Sequence, residues 1–260
     1  MEKMNYQVAP EFAHLEEWLC RLPEFFACEG ERFFKNRNEI RVFETNGIVI
    51  NVKEFKIPNW FNRFSYVYLR GSKAKRSYQY ARRFGILGVP TPTAVGFVNC
   101  IKYGLLAKSY YASVHLRFDY TLKAVRGFEP KLRDEIFRKW VRFTSDKLHR
   151  NGIFHLDYSQ GNTLITVGGN EYHFSIVDLN RMEFGPVSFH KGLTNFCQLG
   201  LDDAMLKIVS DEYAQIHGRD SAEACQYILD YSHKRAARRQ KKEDTKAFWR
   251  KLFKFGRVEG

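Results

Sequence analysis

The chain has no apolar run approaching the ~18 residues a membrane-spanning helix needs, so it is not expected to cross a bilayer. Its start, Met1 to Pro10, lacks a basic segment followed by an apolar one, and no secretory signal is expected there. The five cysteines (Cys20, Cys28, Cys100, Cys197, Cys225) are odd in number and widely scattered, with no C-x-x-C. That argues against a disulfide framework or a zinc site and for a reducing, cytoplasmic setting. Acids are also scarce: 29 Asp and Glu stand against 42 Lys and Arg, a formal charge of +13. From Phe55 to Arg117 there is not one acid at all. What is present is 260 residues, 44% hydrophobic and 16% aromatic, which excludes disordered, collagen-like and mucin-like architectures. At roughly 100–200 residues per domain, this is one large domain or two small lobes. The charge asks for an anionic partner: nucleotide, nucleic acid or a membrane surface.

The charge is uneven. Residues 231–260 hold eleven Lys and Arg against three acids, a net +8 that leaves +5 for the first 230 residues. On a helical wheel, Phe248, Trp249, Leu252, Phe253 and Phe255 separate from Lys246, Arg250, Lys251, Lys254 and Arg257. Aromatic residues opposite cations are the pattern of an interfacial helix, expected to hold the protein to an anionic membrane; docking on the protein's own body is the alternative.

Along the chain, Arg32–Lys35, Glu39–Glu44 and Gly47–Phe55 read as short strands, with Asn36-Arg37-Asn38 and Thr45-Asn46-Gly47 as turns. Ser72 to Leu87 reads as a basic helix stopped by Gly88. Thr93–Asn99 and Gly104–His115 read as a strand pair. After Pro130 the pattern turns helical, with Leu132, Ile136, Trp140 and Phe143 on one face and Asn151-Gly152 at its end. Short strands follow around Gly168-Gly169, then helix from Lys191 to Tyr231. Strands with one helix, then mostly helices, predict an α+β fold with two lobes. The expected pieces are a β-rich N-lobe at 1–115, a mainly helical C-lobe at 116–230 and the basic tail at 231–260.

Chemistry concentrates in His155-Leu156-Asp157-Tyr158-Ser159-Gln160-Gly161-Asn162, which fits the H-x-D-x-x-x-x-N loop of kinases. Ile176-Val177-Asp178 reads as a strand ending in Asp, and Ile50-Asn51-Val52-Lys53 has the form of the kinase lysine strand. Phosphoryl transfer needs positioning and charge neutralisation more than covalent help. Asp157 would take the proton of the acceptor hydroxyl. Asn162 and Asp178 would hold Mg²⁺ through hard oxygens. Lys53 would bind ATP phosphates, and His155 would brace the loop. Each has a bland counterpart, such as a turn aspartate or an edge-strand lysine; their shared order and spacing favour the kinase-like reading.

Three further segments carry a resemblance: Asp178-Leu179-Asn180-Arg181-Met182-x-Phe184, Val52-Lys53-x-Phe55-Lys56-x-Pro58-Asn59 and Ser72-Lys73-Ala74-x-Arg76-Ser77-Tyr78. With these the chain resembles the bacterial lipopolysaccharide core kinases, the Kdo/heptose group of the protein-kinase-like superfamily. The resemblance runs from about Gly30 to Gly200 and fades in the N-terminal helix and the tail. It implies a two-lobed protein-kinase-like fold, ATP and Mg²⁺, a sugar hydroxyl of the lipopolysaccharide inner core or a lipid A precursor as acceptor, and work on the inner face of the inner membrane. Two departures stand out. There is no G-x-G-x-x-G loop, so Lys35 and Asn36, in the turn through Arg37 and Asn38, would have to cover the phosphates. The helix from Ser72 has no acid to pair with Lys53, and Gln79 stands about where one is expected. A small-molecule kinase of the aminoglycoside or choline type, a nucleotide-binding pseudokinase and a nucleic-acid-binding protein are the alternatives. The basic surroundings disfavour the first, and the absence of a nucleic-acid recognition motif disfavours the last.

Overall fold

The computed structural model describes residues 2–35, 37–57, 59–169 and 171–255. Its strands and helices run in the order β1 (Glu2–Val8), α1 (Glu16–Phe25), β2 (Glu31–Lys35), β3 (Glu39–Thr45), β4 (Ile48–Glu54), α2 (Trp60–Tyr68), α3 (Lys73–Ile86), β5 (Ala94–Lys102) and β6 (Leu105–Val114). There follow β7 (Tyr120–Thr121), α4 (Leu122–Val125), α5 (Pro130–Phe143), β8 (Ile153–His155), β9 (Thr163–Gly168), β10 (Glu171–Ile176), β11 (Met182–Phe184), α6 (Phe189–Phe196), α7 (Asp203–His217) and α8 (Ser221–Phe255). They form two compact units, residues 1–127 with 155–184, and residues 128–154 with 185–260.

The first unit is built on a six-stranded sheet in the order β1-β5-β6-β4-β3-β2, with every recorded pairing antiparallel. The β3–β4 hairpin turns on Asn46 and Gly47, at φ 50° and 72°, which is the left-handed pair that a two-residue turn between twisted strands requires. On β4, Ile50 and Val52 are fully buried against Leu15, Leu19 and Leu22, so α1 covers that face of the sheet. Period-two alternation then sends Asn51 and Lys53 to the opposite face. α3 packs on the sheet through Tyr78, whose ring lies 5.7 Å from Phe97 of β5. Ser72 caps α3 by accepting the backbone N–H of Lys75 at 3.0 Å. Gly96 of β5 sits where any Cβ would lie 2.5 Å from the Gln7 carbonyl and 2.6 Å from Leu19, so only glycine lets β1 and α1 close on β5.

Residues 155–184 belong to this first unit because hydrogen bonds tie them there. The Ile176 N–H donates to the Pro90 carbonyl at 3.0 Å, the Thr91 hydroxyl to the Ile176 carbonyl at 2.7 Å, and the Asp119 N–H to the Ile165 carbonyl at 2.9 Å. Strands β10, β9 and β7 form its second sheet. The units are therefore not the expected pieces 1–115 and 116–230: the chain leaves the first unit at 128 and returns to it at 155. Nor does a separate tail begin at 231, since α8 runs unbroken through that position.

The second unit is helical. α5 buries Ile136, Phe137, Trp140 and Val141, while Leu132, expected on the same face, is exposed at its first turn. A π-turn over Thr144–His149 follows and buries Leu148 and His149. The His149 ring bridges Tyr213 at 2.9 Å and Asn195 at 3.1 Å, joining α6 to α7. No helix among the described residues is long and apolar enough to cross a membrane.

Candidate active site

The face of β4 turned away from α1 opens onto a cleft of about 500 Å³ within the first unit. Asn51 and Lys53 line it from β4, Ser77 from α3 and Tyr111 from β6, where Tyr111 is the register partner of Lys53. Asn162 and Asp178 close the opposite wall. Phe33, Phe34, Leu116, Leu164 and Leu179 make the remainder apolar, a lining suited to a flat aromatic ring beside a polar end.

Lys53 and Asp178, 125 positions apart in sequence, form an ion pair at 2.7 Å. Asp178 is held at φ 59°, in the left-handed region, which Asp enters more readily than most residues other than glycine. The amide of Asn180 donates to the same carboxylate oxygen. Burial pushes the Asp178 carboxyl up, but the charge and hydrogen bond of Lys53 outweigh it and leave the group below the ordinary carboxylate value. Asp178 is thus a partly buried, ionised oxygen donor.

The loop before it is braced from inside. His155 is fully buried, stacks on Tyr158 and accepts the Asp157 N–H at Nδ1, 3.1 Å away. Burial pushes the imidazole down to about 4, although the Val177 backbone, Asp178 and Asp157 favour its charged form. It therefore stays neutral at pH 7 and acts as a strut. The Asn162 amide nitrogen donates to the Asp157 carbonyl at 2.8 Å, which ties the two ends of the loop together. Asp157 itself is half-exposed, and its carboxylate pairs with Arg181 at 3.1 Å.

The structure thus brings Lys53, Asn162 and Asp178 to one cleft and puts Asp157 on the loop that Asn162 closes. It does not bring Gln79 there: that residue is exposed on α3 and absent from the cleft lining, and Ser77 is the helix's contribution instead. Helical geometry explains this, because Ser77 and Gln79 lie about 200° apart around the axis. Lys35 is turned to Glu39 at 3.2 Å, one of three cations, with Arg32 and Arg41, on that carboxylate. Asn36 lies outside the described residues. Two cations at the site were not expected from the sequence. Arg181 clamps Asp157. Lys73, in the first turn of α3, has its ammonium pushed down by burial and by the nearby charges of Arg37, Arg181 and Lys53, with Asp178 acting the other way. Both fall in segments that carried the resemblance; neither matches a general kinase motif.

Among solved structures, the chain matches one described as WaaP in complex with acyl carrier protein, at TM-score 0.61 and 18% identity, over 90% of this chain and 98% of that one. The fold is protein-kinase-like. A weaker likeness, TM-score 0.46 at 12% identity, reaches a Rio2 kinase–ADP/Mg²⁺–phosphoaspartate complex from Chaetomium thermophilum, over 81% of this chain and 66% of that one. No family profile and no curated protein matches. Within a kinase-like fold, the expected α+β class holds: an antiparallel sheet precedes a helical C-terminal part.

Proposed function

We propose that this protein is an ATP-dependent phosphotransferase whose acceptor is a sugar hydroxyl, Kdo or heptose, of the lipopolysaccharide inner core. The observation that carries it is the 2.7 Å pair between Lys53 and Asp178 in a cleft shared with Asn162. A solvated strand lysine and a turn aspartate have no reason to meet across 125 residues; a phosphate-binding cation and a metal-binding carboxylate do.

The residues fit a divalent cation. The nitrogen of the Asn162 side chain is committed to the Asp157 carbonyl, which leaves its oxygen for the cation, and Asp178 stays ionised. Oxygen donors of this kind suit Mg²⁺, which would neutralise charge on the ATP phosphates when bound. Lys53 adds a point charge to the same phosphates, and the Phe33, Phe34 and Leu164 side chains offer an apolar slot for the base. Asp157 accepts the proton of the sugar hydroxyl as its oxygen bonds to the γ-phosphorus and the bond to the ADP oxygen breaks. Arg181 holds the Asp157 carboxylate in place. Arg37, Lys73 and Arg181 favour an anionic acceptor over a cationic amino-alcohol. Without a helix carboxylate near Lys53, Asp178 itself orients the lysine, so the missing acid does not require a pseudokinase.

The exposed cations of α8, among them Lys234, Arg235, Arg238, Arg239, Lys241 and Lys242, are proposed to draw the protein to an acidic leaflet. The test of the function is transfer of phosphate from ATP to Kdo–lipid A or a heptosylated core, read by mass spectrometry. Asp157→Asn should lower the rate by about 10²–10⁴-fold. Equal product from wild type and variant would overturn the proposal.

A further inference from the structure

Helix α2 is amphipathic in the wrong direction for a soluble protein. At 100° per residue, Trp60, Phe61, Phe64 and Tyr68 fall within about 100° of arc, and this arc faces solvent: they are 72%, 65%, 47% and 58% exposed. The side that packs inward carries Tyr66 and Arg63, the latter donating from Nε to the Leu106 carbonyl of β6 at 2.7 Å. The exposed rings touch mainly one another, Trp60 against Phe61 at 6.1 Å and Phe64 against Tyr68 at 4.8 Å. At the C-terminal end, the Tyr68 hydroxyl lies 3.2 Å from where a Cβ on Gly104 would stand, so the stripe meets the tip of the β5–β6 hairpin. There Tyr103 is 83% exposed.

We infer that this stripe is a membrane-docking face that seats its aromatic rings in the interface of an anionic bilayer. Soluble monomers rarely leave a contiguous aromatic strip bare, and Trp and Tyr prefer the headgroup level of a bilayer. Charge selects the occupant. The helix lies in the stretch from Phe55 to Arg117 that has no acid, and Lys56, Arg70 and Lys102 are exposed beside it. The Arg70 guanidinium lies over the Tyr66 ring at 4.6 Å and donates to Asn62 at 2.9 Å, so it is fixed along the flank of the helix rather than swinging free. A sugar-stacking site would sit in a concavity with hydrogen-bonding groups around it, whereas these rings stand on a convex helix surface. The inference is independent of the catalytic reading and of the membrane role of α8.

The test is co-sedimentation of the full-length protein with vesicles of phosphatidylcholine and phosphatidylglycerol, against phosphatidylcholine alone. The probes are the triple variant Trp60→Ser/Phe61→Ser/Phe64→Ser and, separately, the α8 charge reversal Lys241→Glu/Lys242→Glu. Binding should require the anionic lipid and fall at least about tenfold in the triple variant, including on the α8-reversed background. If the triple variant does not fold, quenching of Trp60 by lipids brominated in the acyl chain serves in its place. It is read in Trp249→Phe protein, as the signal lost on adding Trp60→Phe. Vesicle binding unchanged by the triple variant, or no quenching of Trp60, overturns the inference. So does a self-association abolished by the same substitutions without lipid, or retained vesicle binding alongside lost affinity for lipid-free core oligosaccharide.

Discussion

Asp178 takes both Lys53 and Asn180 on one carboxylate oxygen, and these partners set its behaviour. Lys53 supplies the charge that keeps it ionised in a partly buried place. Removing that charge takes away the largest opposition to burial and leaves mainly the Asn180 hydrogen bond, so the carboxyl in Lys53→Ala should rise. A charge-assisted hydrogen bond contributes ~1.5–3 kcal/mol, so ATP–Mg²⁺ affinity should fall by roughly ten- to a hundredfold, measured by titration calorimetry. Lys53→Arg should recover little of it, because a planar fork replaces a compact ammonium in a lined cleft. At this scale the motif positions were legible in the sequence: Lys53, Asp157, Asn162 and Asp178 follow from spacing and residue type. Gln79 was not, because its role depended on which face of α3 meets the sheet. The packing of Tyr78 on Phe97 decides that and turns Gln79 to solvent.

Among the elements, α3 matters most for the site, since its first turn carries Lys73 and its inner face Ser77. Its start is set by the Ser72 cap. Ser72→Ala should cost about 0.5–2 kcal/mol of stability in urea denaturation while leaving the slope unchanged. A change no larger than a tenth of that would mean the helix starts without its cap. The hairpins and the basic helix were readable because Asn-Gly, Ser and Gly act locally. Two elements were not. β1 alternates Met4, Tyr6 and Val8 with Asn5 and Gln7 over only a short run, and the β5 edge that makes it a strand lies far along the chain. The aromatic residues of α2 suit strands as well as helices, and the Asn59 cap together with Arg63 on β6 make it a helix.

For the whole molecule, each unit contains a buried histidine pushed down to about 4: His155 in the first, and His149, where burial outweighs the hydrogen bond with Asn195, in the second. Both are neutral when folded, and both take up a proton near pH 6.5 once unfolded. The unfolded chain therefore binds more protons between pH 6.5 and about 4, and stability falls as pH drops through that window. It is fully present above it. From pH 7 to pH 5 the loss should be on the order of 2 kcal/mol per histidine, read as a lower denaturation midpoint. His149→Gln should flatten the pH dependence even where it lowers stability. A midpoint unchanged between pH 7 and pH 5 would contradict this. Packing around His149 is tight enough for a second check. A Cβ on Gly192 would lie 2.0 Å from the Tyr213 hydroxyl, so Gly192→Ala should destabilise by about 1–3 kcal/mol in the same assay.

The sequence by itself determined the local chemistry: the turns, the strand that carries a lysine, the loop that carries Asp157 and Asn162, and the acid-free basic stretch. These depend on neighbours a few residues apart, and residue type is enough to read them. Tertiary structure decided which of those groups meet. Register on β4 aimed Lys53 away from α1 and into the cleft. Hydrogen bonds of Ile176, donating to the Pro90 carbonyl and accepting from the Thr91 hydroxyl, set the segment that carries Asp178 against it. The rotation of α2 on β6 turned an aromatic stripe outward. Each is a choice between two faces of one element, and a face is chosen only by what packs against the other side.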